Sequence, residues 1–238
     1  MSERFFVAEP IASQKVKLLG DEARHLAAVM RLAPGDEVTL FDGTGPEFTA
    51  RITEVAKHSV HCDIIARLDV SRELPYELSL AVALPKGDRQ KWLVEKITEL
   101  GVTRLIPLIT ERGVAQPVEA ALERLHRGVI EASKQCGRNR LMEIAAPLSA
   151  NDLFQSPGLP RVRLIAHPTD QDKNAFRLPG GDSDLPRDFI AAIGPEGGFT
   201  QKEIDCAVAA GWQTFSLGGR ILRVETAAIA IASMSIFT

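Results

Sequence analysis

The chain of 238 residues carries two glycine-rich stretches, GPEGGFT at residues 194–200 and LGGRILRVETA at residues 217–227. An unbroken apolar run at 189–193 precedes the first stretch, and a shorter strand-like run at 212–217 precedes the second. Such runs are typical of parallel strands buried on both faces. Thr200 and Glu203 have capping-box spacing and Gly211 supplies a stop, which predicts a helix between the two strands. The sequence therefore predicts strand, loop, helix, strand, loop and helix in succession.

The two loops are predicted to flank one binding site. In an open α/β sheet, ligands bind beyond the carboxyl ends of the strands, and these strands are a single crossover apart. Glycines let backbone N–H and C=O groups approach a ligand closely. The dinucleotide pattern GxGxxG and the phosphate-binding pattern GxxxxGK[ST] are both missing, which disfavours a Rossmann dehydrogenase and a P-loop ATPase. A binding site is favoured by the charged residues that the two loops carry, which are Glu196, Arg220, Arg223 and Glu225. The alternative is that the glycines only form tight turns and bind no ligand.

The two stretches resemble the second and third motifs of the SPOUT methyltransferases, whose loops form a deep trefoil knot that holds S-adenosylmethionine. Further segments narrow the resemblance to the ribosomal RNA small subunit methyltransferase E family: RFFV at 4–7, PKGDR at 85–89, EKITELGV at 95–102, IPL at 106–108, TER at 110–112 and EASKQCGR at 131–138. The resemblance implies methylation of N3 of one uridine in the decoding region of 16S ribosomal RNA, with S-adenosylmethionine as cofactor. It also implies a homodimer with cofactor pockets at the interface.

Two domains are predicted. Residues 37–41, 47–55 and 59–68 are β-rich runs, and Asp21 is placed to cap a short helix, which is typical of a small β-barrel. The resemblance makes residues 1–70 a PUA-like RNA-binding barrel, and residues 71–76 are the predicted linker. From residue 77 to residue 238, strands alternate with helices as in a parallel sheet. The predicted fold class is α/β, a SPOUT-type parallel sheet with a C-terminal trefoil knot, preceded by the barrel.

Composition limits the partners of the protein. A net charge of -3 argues against coating of nucleic acid along the whole surface, so any RNA has to meet a local basic patch. The RNA partner that the resemblance implies is the 16S ribosomal RNA of the small ribosomal subunit. No apolar run of 18 residues and no signal peptide is found, which predicts no membrane association and a cytoplasmic location. Cys62, Cys136 and Cys206 show no paired spacing, and the implied reaction needs no metal.

A basic strip is predicted on a helix at 117–135. Apolar residues from Val118 to Ala132 recur at helical spacing and are expected to face the core. The opposite side carries cations that are suited to phosphates, although a mixed solvated face, with Glu123 and Glu131, is the alternative. The predicted RNA contacts, there and elsewhere, are Arg4, Arg31, Lys86, Arg112, Arg124, Arg127, Lys134, Arg138 and Arg140.

The resemblance places the cofactor-binding residues in three loops. They are His167, Ile193, Gly194, Pro195, Glu196, Gly197, Gly198, Ser216, Leu217, Gly218, Ile221, Leu222 and Ala227. His167 stands where relatives often have an acidic residue, and a simple loop histidine is the alternative.

Catalysis requires loss of the uridine N3 proton, and an arginine near the flanking carbonyl oxygens stabilises the resulting negative charge. Arg223 is the first candidate and Arg4 the second, while Glu225 or water accepts the proton. The alternative for Glu225 is a carboxylate that only stabilises the start of the last helix.

The last predicted helix, from Val224 to Phe237, is apolar nearly all round. It has to be buried on most sides, which together with the resemblance predicts a homodimer. Two other functions stay open at this point. One is another SPOUT RNA methyltransferase, acting on a ribose 2'-oxygen or on transfer RNA. The other is a non-catalytic RNA-binding assembly factor that keeps the fold.

Overall fold

The computed structural model describes residues 3–114, 118–167 and 188–236. The chain forms two compact units. The first comprises Met1–Glu73 and Ile130–Leu141, and the second comprises Leu74–Val129 and Met142–Thr238. The predicted division at residues 71–76 did not include the later segment of the first unit. Phe237 of the predicted last helix lies outside the described residues.

A five-stranded sheet forms the first unit. Its strands are β1 (Arg4–Phe6), β2 (Lys15–Leu19), β3 (Glu37–Phe41), β4 (Glu47–Val55) and β5 (Ser59–Leu68), in the order β1-β3-β4-β5-β2. β1 pairs with β3 in parallel, and the other pairs are antiparallel. The predicted strands at 37–41, 47–55 and 59–68 are confirmed.

A short helix, α1 (Gly20–Arg24), follows β2 and continues as a π-helical turn over His25–Val29. Leu19 occupies the N-cap position without a side-chain hydrogen bond, and Asp21 lies inside the first turn. The predicted Asp21 cap is therefore wrong, because the helix begins one residue before it. Leu26 of the π-helical turn is fully buried in the core of this unit, together with Phe5 and Leu40.

A parallel sheet forms the second unit. Its strands are β6 (Leu78–Val82), β7 (Arg104–Ile109), β8 (Glu143–Ile144), β9 (Leu148–Ser149), β10 (Val162–Ala166), β11 (Phe189–Ile193) and β12 (Gln213–Phe215). The order is β12-β10-β11-β6-β7-β8, and β9 pairs with β7. Every described pair in this sheet is parallel. All five side chains of β11 are buried, as an apolar run of strand length predicts.

The remaining helices are α2 (Asp88–Glu99), α3 (Glu119–Cys136), α4 (Ala150–Gln155), α5 (Gln201–Ala209) and α6 (Val224–Ile236). The predicted capping box of α5 is confirmed: the Glu203 N–H donates to Thr200 Oγ1, and Thr200 N–H donates to Glu203 Oε2 at 2.7 Å. Val118 is 59% exposed because it precedes the first residue of α3, so its predicted core position is wrong.

Candidate functional site

A cavity of about 320 Å³ lies at one edge of the parallel sheet in the second unit. Ala166, the last residue of β10, pairs in register with Ile193 of β11 and Phe215 of β12. Because the three strands are parallel and aligned, the loops that follow them emerge at the same edge. These loops line the cavity, so the structure brings together the two glycine-rich stretches as expected.

Every residue predicted to bind the cofactor lines this cavity: His167, residues 193–198, Ser216, Leu217, Gly218, Ile221, Leu222 and Ala227. The backbone N–H of His167 donates to the Phe215 carbonyl at 3.0 Å and extends the pairing of β10 with β12 by one residue. The lining also contains residues that were not predicted: Ala166, Phe199 and Val224. Arg220 of the second glycine-rich stretch is among the lining residues as well.

The first loop leaves no room for a side chain at Gly194. A Cβ atom added to Gly194 would stand 3.0 Å from the Phe199 ring and 3.2 Å from the Phe199 backbone nitrogen. Gly198 has a φ of 68°, in the left-handed region that favours glycine, and its N–H donates to the Pro195 carbonyl at 2.8 Å. The loop therefore presents backbone groups to the cavity.

The second loop is held by its own polar groups. Gly218 has a φ of 101°, and its N–H donates to Ser216 Oγ at 3.2 Å. The same Ser216 hydroxyl donates to the Gly218 carbonyl at 3.3 Å. Leu217, Leu222 and Ala227 add apolar side chains to the lining. A cavity with apolar walls and a few fixed polar groups is typical of a small-molecule site.

A neighbouring segment anchors the first loop. Arg112 donates from Nη1 to the Gly197 carbonyl at 2.8 Å, and the Glu111 N–H donates to the buried carboxylate of Glu203 at 3.0 Å. Arg112 was predicted as an RNA contact, and the structure shows that part of its guanidinium also supports the loop. The bond from Glu111 to Glu203 was missed, since capping-box spacing indicates only the local partner of a glutamate.

Arg89 was missed as a site residue. It lies in the first turn of α2, with Nη2 at 3.3 Å from Glu196 Oε1 and Nη1 at 3.6 Å from Glu225 Oε1. The Glu225 side chain is only 6% exposed, and its Oε2 has no hydrogen-bond partner among the described residues. Arg89 thus joins the first loop to the start of α6. The PKGDR motif marked position 89, but no spacing relates it to positions 196 and 225.

The candidate catalytic residues lie in different places. Arg223 is exposed just before α6, and its carbonyl accepts the Ala227 N–H at 2.9 Å, but its side chain is not part of the cavity lining. Arg4 belongs to the first unit, where Nη1 pairs with Glu47 at 2.8 Å and the guanidinium lies 5.0 Å from the centre of the Phe41 ring. The catalytic roles of Arg223, Arg4 and Glu225 stay predictions.

The predicted RNA contacts are wrong at two positions, Lys134 and Arg138, because both side chains are already paired with carboxylates. Lys134 is half-buried, with Nζ at 2.8 Å from Glu22 and 3.3 Å from Glu131. Burial alone would lower the pKa of Lys134, but the two carboxylates raise it above the ordinary value. Arg138 is 3% exposed and forms an ion pair with Glu73. Both cations are neutralised within the first unit. The other predicted RNA contacts except Arg4 are exposed: Arg31, Lys86, Arg112, Arg124, Arg127 and Arg140.

Neither a metal-ion site nor a membrane-spanning helix is present in the part of the chain that the structure describes. Within residues 3–114, 118–167 and 188–236, no three His, Cys, Asp or Glu side chains are grouped so that they could hold a metal ion. In the same part of the chain, no helix has the length and apolar character needed to cross a membrane.

Comparison with family models identifies both parts of the chain. Residues 72–236 match an RNA methyltransferase domain, and residues 18–65 match an RNA methyltransferase PUA domain. Curated relatives carry the name ribosomal RNA small subunit methyltransferase E. The protein of Synechocystis sp. is 35% identical, with 99% of this chain and 78% of the relative covered. The protein of Bacillus subtilis is 31% identical, with 88% and 85% covered.

Two solved structures resemble the protein over almost the whole chain. A methyltransferase of Legionella pneumophila in complex with the cofactor SAM is 33% identical with a TM-score of 0.88, covering 99% of this chain and 97% of that protein. The ribosomal RNA small subunit methyltransferase E of Neisseria gonorrhoeae bound to S-adenosyl methionine is 32% identical with a TM-score of 0.85, covering 98% and 96%. The predicted α/β class with a PUA-like first domain is confirmed, and the knot stays a prediction. The chain belongs to the ribosomal RNA small subunit methyltransferase E family.

Proposed function

We propose that this protein is an S-adenosylmethionine-dependent methyltransferase that modifies N3 of one specific uridine in 16S ribosomal RNA. The observation that carries the proposal is the cavity at the ends of β10, β11 and β12, because every residue predicted to bind the cofactor lines it. Relatives named for small-subunit ribosomal RNA, and structures that hold the same cofactor, resemble the chain over nearly its whole length.

The lining fits the proposed cofactor, which joins a nucleoside to an amino acid. The glycines at 194, 197, 198 and 218 carry no side chain, so the backbone of both loops can come close to the polar atoms of the cofactor. Leu217, Leu222 and Ala227 supply apolar contacts and exclude water. When bound, the cofactor supplies an electrophilic methyl group, so the main task of these residues is alignment of that group with the attacking nitrogen.

Arg223 is the proposed catalytic arginine. A guanidinium near the uracil carbonyl oxygens stabilises the negative charge that develops when N3 loses its proton. Arg223 is exposed, whereas Arg4 is already occupied by Glu47 and Asn139 in the first unit. We therefore place Arg4 second. Glu225 is the proposed proton acceptor, with water as the alternative.

The exposed cations are the proposed RNA contacts. Phosphate contacts need accessible positive charge, and six of the predicted residues meet that condition. They are Arg31, Lys86, Arg112, Arg124, Arg127 and Arg140. Lys134 and Arg138 are left out because carboxylates already neutralise them. The proposed partner is the small ribosomal subunit or its 16S RNA, which implies a cytoplasmic protein.

A homodimer is also proposed. Ile221, which lines the cavity, is 92% exposed, and Met234 near the end of α6 is 37% exposed. A second copy would remove this apolar surface from water. Light scattering of the purified protein is expected to give twice the mass of the chain, and Ile221→Glu is expected to shift it toward the monomer. A monomeric wild type would reject the dimer.

The proposal is tested by incubating the protein with methyl-labelled S-adenosylmethionine and unmodified small subunits, naked 16S RNA or transfer RNA. Mapping of the labelled nucleoside is expected to give 3-methyluridine at one position of 16S RNA. Label on a ribose, or only on transfer RNA, would replace the proposed substrate. Cofactor binding without label on any RNA would support a non-catalytic assembly factor.

A further inference from the structure

A second cavity, of about 400 Å³, lies within the first unit. It is lined by the loop between β3 and β4, by the segment that follows β5 and by the residues just beyond α3, all of which belong to this unit. The lining carries charges of both signs. Arg67, Arg72 and Arg140 are its cations, and Asp69 is one of its carboxylates. Its volume is in the range of sites that hold one small ligand.

The walls of this cavity are fixed by hydrogen bonds before any ligand arrives. Asp42 accepts from the Ile11 N–H at 2.8 Å and from the Thr44 N–H at 3.0 Å and hydroxyl at 2.7 Å. Asn139 donates to the Val70 carbonyl at 2.9 Å. A ligand would therefore meet a preorganised surface and would not have to order these loops.

Two groups at the cavity are available for recognition. The Arg140 guanidinium lies against Gly45, where a Cβ atom would be 3.1–3.3 Å from Nη2, Nε and Cζ. In the described part of the chain, Arg140 makes no ion pair. Asp69 uses only Oδ1 for Arg67, at 3.1 and 3.3 Å, and its side chain is 77% exposed. The cavity thus offers a planar cation and a free carboxylate oxygen together.

This combination suits a planar ligand that has both donors and acceptors better than it suits a simple anion, which the carboxylates would repel. Unpaired RNA bases have this character. They stack on arginine planes or aromatic rings, and their edges form hydrogen bonds with side chains. Pro10 and Pro46 add apolar surface to the same lining.

We propose that this cavity is a subsite for one unpaired nucleotide of RNA, with Arg140 as its main contact. The inference rests on the proposed function, since it assumes an RNA substrate. It adds a defined point on the first unit at which a single-stranded part of that substrate is held.

Binding of a labelled, unstructured ten-nucleotide single-stranded RNA tests the subsite directly by fluorescence anisotropy. Arg140→Ala is expected to weaken binding about tenfold, the loss typical of one stacked base. Ser71→Trp fills the exposed rim without a change in charge and is expected to have a similar effect, while Ser71→Ala is not. Arg51→Ala is the matched control, because it removes one exposed arginine of the same unit outside the cavity. It is expected to change affinity less than about twofold.

Equal losses for Arg140→Ala and Arg51→Ala would overturn the subsite, since they would show only a charge effect. The subsite would also be overturned if Ser71→Trp bound the RNA with wild-type affinity and unfolded at the wild-type temperature. Methylation assays separate this proposal from the proposed function. A raised KM for ribosomal RNA in both cavity variants, with unchanged cofactor affinity, supports the subsite. A wild type that binds RNA through the cavity but methylates none rejects the function and keeps the subsite.

Discussion

The Arg89 side chain lies outside the glycine-rich loops but forms ion pairs that connect the first of them to α6. Its guanidinium lies between Glu196, on the first loop, and Glu225, in the first turn of α6. Glu225 is almost fully buried, and a buried carboxylate without a cation is costly. Arg89 therefore both compensates that charge and connects two elements that line the cavity.

Arg89→Gln is expected to lower the affinity for S-adenosylmethionine about tenfold, because the first loop loses its connection to α6. Calorimetric titration of the cofactor measures this loss. Arg104→Gln is the matched control, since it removes an exposed ion pair with Glu143 in the same unit and is expected to bind normally. Arg89→Lys should recover part of the affinity. Wild-type affinity in Arg89→Gln would show that the ion pairs do not position the loop.

Arg223→Ala is expected to lower kcat about a hundredfold, because the charge on the uracil oxygens loses its stabilising cation. Cofactor affinity is expected to stay within about twofold, because the Arg223 side chain does not line the cavity. Arg220→Ala is the comparison, because Arg220 lines the cavity and its loss should raise the Kd for the cofactor. Single-turnover methylation and titration measure the two effects. A normal kcat in Arg223→Ala would show that Arg223 is not the catalytic arginine.

At the scale of elements, the connection from β11 to α5 is the most constrained part of the second unit. The strand is buried throughout, the loop bends at Gly194 against Phe199, and Thr200 begins the helix with a capping box. Glu203 serves that box and also accepts from the Glu111 N–H. Strand, loop and helix are therefore fixed as one piece.

Gly194→Ala is expected to destabilise the protein by about 1 to 3 kcal/mol, because the new methyl group would overlap the Phe199 ring and backbone. Cofactor affinity should fall as well, because the loop has to shift. Gly197→Ala is the control in the same loop: its Cβ would meet Arg112 at an ordinary 3.5 Å. Thermal unfolding and cofactor titration compare the two variants. Equal effects would mean that the loop tolerates no side chain at either position.

Elements were predictable where the signal is local. The run at 189–193 gave β11 its bounds, and the spacing of Thr200 and Glu203 gave α5 its start. That the two glycine-rich loops line one cavity also followed from the sequence pattern, because parallel strands place their following loops at one edge. The individual lining residues, His167 among them, came from the family resemblance.

Contacts between distant positions were not predictable. Arg138 resembled an exposed cation at the end of a helix, yet it pairs with Glu73, 65 residues earlier. Arg89 and Glu225 are similarly far apart in sequence and meet only through the packed fold. Helical spacing predicts which residues lie on the same side of one helix. It does not predict which residues of other elements contact that side, because those contacts depend on the tertiary structure.

At the scale of the molecule, the first unit is discontinuous in sequence and depends on polar contacts to join its segments. Arg72 donates to Glu47 at 3.0 Å and to the Gly137 carbonyl at 3.0 Å. Arg4 also donates to Glu47, and its other nitrogen reaches Asn139. Glu47, which is 8% exposed, is thus the shared acceptor of two arginines that bind the 130–141 segment.

Glu47 is expected to make the stability of the protein depend on acid pH. Burial alone would raise the pKa of this carboxyl, but the hydrogen bonds from Arg72 and Arg4 lower it from 4.5 to about 2. Because the pKa in the folded state is the lower one, the stabilisation is complete above about pH 4.5 and is lost as the pH falls toward 2. Its size is on the order of 2 to 3 kcal/mol.

Urea unfolding of the wild type and of Glu47→Gln at pH 7 and pH 3 measures this contribution. The variant is expected to be less stable at pH 7, because its neutral amide replaces the charged acceptor of both arginines, and to lose less stability between the two pH values. Glu37→Gln is the control, since its exposed pair with Arg51 should contribute little at either pH. If Glu47→Gln loses as much stability on acidification as the wild type, another carboxylate governs the acid sensitivity, and the two arginines hold the 130–141 segment without help from the charge of Glu47.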